Sequence, residues 1–130
     1  VFVPAMQQPK GLPRLMDIVN RSIVRLRDVE IHTGCLYTAG AFELDDREGE
    51  LRDVLLNEVT RWRASLRRTV LQAVEAGHLK PDTDADQLVS EINSLAIGLV
   101  HDARFLRDSR AAERAQKSWQ RLINSYIRNP

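Results

Sequence analysis

The side chains that could do chemistry are few and scattered. His32, His78 and His101 form no i, i+4 helical pair and stand near no clustered cysteines, so zinc is not expected. Glu30 and His32 lack the Glu-x-x-His step that a di-iron bundle needs. No glycine-flanked serine elbow marks a hydrolase triad, and no glycine-rich phosphate cradle precedes a lysine. Glycines 34, 40, 49, 77 and 98 are dispersed. The acidic group Asp45, Asp46, Glu48 lacks the alternating ligands and central glycine of a calcium loop and reads as a solvated turn. Cys35, on an apolar helical face, reads as a small buried residue rather than a redox sensor. By elimination the chemistry is binding: no catalytic residue, metal site or cofactor is expected, and the chain is not expected to be an enzyme.

Three features bear on binding. Asn93 interrupts an apolar stretch, either as a polar anchor in a cavity or as a satisfied interface hydrogen bond. His101 reads as a surface or interface histidine. Between Arg104 and Arg128, basic residues at 104, 107, 110, 114, 117, 121 and 128 outnumber Asp108 and Glu113. Such a stripe could touch phosphates, but its opposite face is apolar, so it reads as the solvated side of a bundle helix.

Composition narrows the setting. A chain of 130 residues fits one domain and can bury a core without a disulfide or metal. One cysteine closes no intramolecular bridge, which favours a reducing, cytoplasmic compartment. Nineteen basic and 18 acidic residues leave a net charge of +1, which advertises neither nucleic acid nor an acidic partner. No apolar run approaches the roughly 18 residues of a membrane span.

Five helices must position these residues, and the expected class is all-α. Prolines 4, 9 and 13 make residues 1–13 a connector or the end of a preceding helix, with residues 14–130 as the domain proper. The first helix runs from Arg14 to about Asp28, with Leu15, Met16, Val19, Ile23 and Leu26 on one face. A second, short helix carries Cys35, Leu36, Ala39 and Phe42. The third is the longest pattern in the chain: from Glu48 to Ala76, Leu51, Leu55, Val59, Trp62, Leu66, Val70 and Ala73 recur at steps of three and four. Gly77 and Pro81 stop it. Asp84, with Gln87 three residues on, caps a fourth helix reaching about Arg107. Its apolar residues form two adjacent stripes, one through Leu88, Ile92, Leu95, Leu99 and Leu106, the other through Val89, Ala96, Val100 and Ala103. So wide a surface implies burial on more than one side, and Gly98 suits a place where another backbone comes close. The fifth helix, about Arg110 to Arg128, aligns Ala112, Ala115, Trp119, Leu122, Ile123 and Tyr126.

The order Thr33-Gly34-Cys35, Ala39, Ala41-Phe42-Glu43, Asp45-Asp46-Arg47, Gly49, Arg52-Asp53, Trp62, Leu66 and Ala73 to Leu79, followed by Asp82 and Asp84, resembles the C-terminal domain of TetR-family transcriptional regulators. The resemblance extends from about Gly11 to Leu122. It implies a transcriptional regulator, repressor in type, whose N-terminal helix-turn-helix domain reads DNA and is absent from this chain. It also implies a homodimer in which the last two helices of each copy form a four-helix interface. Leu88, Leu95, Leu99, Leu106, Trp119, Leu122, Ile123 and Tyr126 are its candidate residues. The resemblance further places a small effector among the first three helices and the inner side of the fourth, where a mostly apolar lining would suit a hydrophobic or aromatic molecule. Its candidate lining is Leu15, Val19, Ile23, Cys35, Ala39, Phe42, Leu55, Val59, Trp62, Leu66, Ile92 and Ala96. Each is equally well explained as core. DNA would be met only through the N-terminal domain, and no membrane partner is expected. The competing reading is a homodimeric helical interaction module without a small-molecule site, which a well-filled core would favour.

Overall fold

The computed structural model describes residues 2–30 and 36–128. Six α-helices are present among them: α1 (Phe2–Ala5), α2 (Leu12–Arg25), α3 (Leu36–Leu44), α4 (Glu50–Glu75), α5 (Ala85–Val100) and α6 (Ala111–Tyr126). No strand occurs among the described residues, and the one isolated β-bridge joins Leu79 to Ile127. The all-α class expected from periodicity is the class observed, with α2 to α6 answering to the five expected helices.

Two additions separate pattern from structure. The connector contains the single turn α1, whose Ala5 is fully buried against the bundle. The Arg14 guanidinium holds this strap in place by donating to the Met6 and Gln8 carbonyls at 3.2 and 3.1 Å. In addition, α2 and α5 each end in a π-helical turn, Leu26–Glu30 and His101–Phe105. The expected fourth helix, drawn to Arg107, thus ends its α-helical part at Val100. After the π turn, Arg107 takes a left-handed φ of 55° and turns the chain toward α6.

Helix ends follow local chemistry. Asp84 accepts the Gln87 N–H at 3.1 Å and caps α5. At the other end of α4, Gly77 has a φ of 80° and lets the His78 N–H reach back to the Ala73 carbonyl at 3.0 Å. An L side chain at that φ would be strained.

The core lies where α2, α4, α5 and α6 meet. Leu15, Ile18 and Val19 of α2 pack with Leu66, Val70 and Ala73 of α4, Leu88, Val89 and Ile92 of α5, and Trp119 and Ile123 of α6. A second, smaller cluster of Leu26, Leu99, Ala111 and Ala115 sits beside the π turns. The buried residues of α4 all fall between Leu66 and Ala73. Its first half carries Leu51, Val54 and Leu56 exposed on the surface.

Candidate functional site

Trp62 and Asn93 meet about midway along α4 and α5. The indole N–H of Trp62 donates to Asn93 Oδ1 at 3.1 Å, and Asn93 Nδ2 donates back along its own helix to the Val89 carbonyl at 2.8 Å. Asn93 is therefore hydrogen-bonded within its own chain, between α4 and α5. Leu66, four residues after Trp62, lies in the closed core, while Val59 and Leu55, three and seven residues before it, are only half-buried. The pair stands where the packed half of the seam gives way to the open half.

The expected effector lining divides along this boundary. Leu15, Val19, Leu66 and Ile92 are buried in the main core, and Ile23 and Trp62 pack partly buried against it. Ala96 packs against the smaller cluster. Ala39 is exposed, and Phe42 is 65% exposed. The reason lies in the facing of α3. A Cβ added to Gly40 would come within 3.0 Å of Leu55 Cδ2, so Gly40 and half-buried Leu44 form the edge that meets α4. Phe42 is two residues from Gly40, about 200° around the helix, and so points outward. Cys35 lies outside the described residues.

The candidate dimer residues divide as well. Leu88, Trp119 and Ile123 have no accessible surface and Leu99 is buried, so they serve this chain's own core. Leu95, Leu122 and Tyr126 are half-buried around it, and Leu106 is exposed beside Phe105. An apolar stripe read from sequence does not say which neighbour covers it; here much of the α6 stripe is covered by α2 and α5. Trp119 Nε1 is buried without a hydrogen-bond partner among the described residues.

The surface left open on α5 runs through Ser90, Ser94 and Ile97, at steps of four and three, and is continued by exposed His101 and Phe105 of the π turn that follows. A Cβ at Gly98 would meet nothing within 4 Å. His101 sits against Asp102 at 3.0 Å and tilts over the Phe105 ring at 5.5 Å.

A groove of about 620 Å³ opens elsewhere, between the ends of α2 and α5 and the start of α6. Its apolar wall is Ile23, Val24, Leu99, Ala103, Ala111 and Ala112, and its polar rim includes Asn20, Arg27, Asp108, Glu113, Gln116 and Lys117. Ile23 alone belongs to both this groove and the expected lining. The sequence signal that could have found it is the alanines at 103, 111 and 112, short side chains on its wall that leave a hollow. The rim is internally compensated. Arg27 grips Asp28 through two hydrogen bonds of 2.6 and 3.0 Å, which lower the carboxyl pKa and raise that of the guanidinium. Glu113 lies between Arg110 at 3.2 Å and Lys117 at 3.3 Å, and hydrogen bonds from Arg110 and then Lys117 hold its pKa down. Arg114 meets Asp108 at 2.6 Å. Both acids of the basic stripe are thus engaged by its own cations, the pattern of a solvated face.

The fold is a small all-α helical bundle. The sequence matches the family described as tetracyclin repressor-like, C-terminal domain, over residues 11–119, and the chain belongs to that family. It is accordingly a domain of the TetR-like regulator type, whose members bind ligands and dimerise through this part. A search among curated proteins finds no match. No helix of the described residues is long and apolar enough to cross a membrane.

Proposed function

We propose that the chain is the effector-binding and dimerisation domain of a TetR-like transcriptional repressor, acting by binding rather than by catalysis. Its effector is small and largely apolar and settles among α2, α3, α4 and the inner side of α5. The observation that carries this reading is the Trp62–Asn93 hydrogen bond on an otherwise apolar seam. A few polar groups on apolar walls are what orient a small ligand. Leu55, Val59, Trp62, Ile23 and Ala96 are the lining residues still partly accessible, and a ligand reaching them would compete for Asn93.

The dimer forms through α5 and α6, with the open stripe of α5 and the half-buried Leu95, Leu122 and Tyr126 at the contact. Control of DNA is a population shift. An effector that prefers one arrangement of the dimer moves α2 and the strap before it, which changes the spacing of N-terminal DNA-binding domains. The shift can be no larger than the effector's differential affinity for the two arrangements.

Native mass spectrometry of the purified chain tests both halves at once. A dimer, with or without a retained small molecule, supports the reading; a monomer at micromolar concentration removes the dimer. Titration with apolar candidate effectors should change Trp62 fluorescence. Calorimetric binding with Trp62 emission unchanged, measured in a Trp119→Phe background, would move the effector away from this seam.

A further inference from the structure

We propose that His78 is a positioning residue that fastens the start of α2 to the end of α6, so that displacement of either is passed to the other and to the N-terminal strap. The first N–H groups of any helix lack partners within it, and Gly11, preceding α2, has no side chain to supply one. His78, 66 residues away, supplies it: its Nδ1 accepts the Leu12 N–H at 3.0 Å.

The main chain around His78 faces the other way. Its carbonyl accepts the Arg128 N–H at 3.0 Å, the Lys80 N–H donates to the Tyr126 carbonyl at 2.9 Å, and Leu79 pairs with Ile127. One residue thus holds α2 by its side chain and the end of α6 by its backbone. Gly77 makes this possible, because its left-handed turn places His78 at the corner after α4. Gly11 completes the fit. At its φ of 110°, a Cβ would lie 2.6 Å from His78 Nδ1 and 2.8 Å from Cε1. Only glycine lets the chain pass the ring so closely. From Leu12 the restraint continues backward, since Arg14 grips the Met6 and Gln8 carbonyls.

The joint belongs to the single chain and requires neither effector nor dimer. It would connect a dimer helix to the strap if the proposed function holds, and it would stand without it.

Hydrogen exchange followed by mass spectrometry on the full chain tests the joint. His78→Ala should speed exchange in peptides covering residues 6–14 by roughly fivefold to tenfold, the size of a lost helix cap, while the centre of α4 keeps its protection. His78→Asn, whose Oδ1 occupies the place of Nδ1, should restore the original rates; His78→Leu, similar in bulk but without an acceptor, should not. Gly11→Ala acts on the α2 side alone, yet should speed exchange at the Lys80 and Arg128 amides by about threefold, since the ring must move. Should His78→Ala not fold, the comparison of Asn with Leu decides. The inference is overturned if Leu behaves as His does, if residues 6–14 are unaffected, or if Gly11→Ala leaves the Lys80 and Arg128 amides unchanged.

Discussion

Tyr126 shows how one residue can carry a titration into stability. Its hydroxyl donates to Glu91 across the α5–α6 contact. Burial first, then the hydrogen bond and charge of Glu91, push the phenol up to about 12. Raising an acid's pKa in the folded state means that the unfolded chain ionises first. The contribution is therefore whole below pH about 10, the ordinary tyrosine value, and disappears as pH rises toward 12. At a half-buried site it is worth no more than about 2 kcal/mol. Thermal midpoints measured from pH 8 to 12 should fall more steeply for the parent chain than for Tyr126→Phe, and parallel curves would contradict the assignment. The surface pairs Arg21–Asp17 and Arg61–Glu58 have no comparable leverage, because exposed ion pairs contribute at most about 1 kcal/mol.

At the level of elements, caps set where helices begin and end. Asp84→Ala removes the side-chain acceptor for the Gln87 N–H and should lower stability by about 1 kcal/mol, read as a reduced denaturant midpoint at unchanged slope. This cap and the Gly77 turn were legible in the sequence because each needs only a few adjacent residues. The helices themselves were legible from apolar steps of three and four. The π turns at Leu26–Glu30 and His101–Phe105 were not, because each is only five residues long at the end of its helix, with no stripe beyond it to reveal a changed period. Nor could the facing of Phe42 be read, since it depends on Gly40 meeting Leu55 across a turn. Trp119 and Ile123 were expected at a dimer contact and lie in the chain's own core, because periodicity fixes a face and leaves its neighbour open. His78 had only its lack of metal-binding company to recommend it; an acceptor for the Leu12 N–H that lies 66 residues away leaves no local signature.

For the whole molecule, the question is what meets the open stripe of α5. Gly98 provides a test whose two arms have opposite signs. Within the chain its Cβ position is empty, so Gly98→Ala should raise the stability of the isolated fold by roughly 0.5–1 kcal/mol. If two copies bring α5 backbones together there, Gly98→Arg should lower the dimer fraction in sedimentation while the chain stays folded. A Gly98→Arg chain that dimerises as tightly as its parent would place the contact elsewhere.

The placement of the core along α4 has one more consequence. Its buried residues occupy only the stretch from Leu66 to Ala73, whereas Glu50 to Ser65 runs on for roughly 24 Å without one. Mechanically this is a cantilever, clamped at one end by the bundle and loaded at the other by α3. Trp62 ties the arm to Asn93 and the core, so it is the part before Trp62 that can bend with the loss of few apolar contacts, and a guest could be admitted beneath it at little cost to the clamp. Tolerance for guests of different sizes would then be a property of the beam rather than of any one pocket residue.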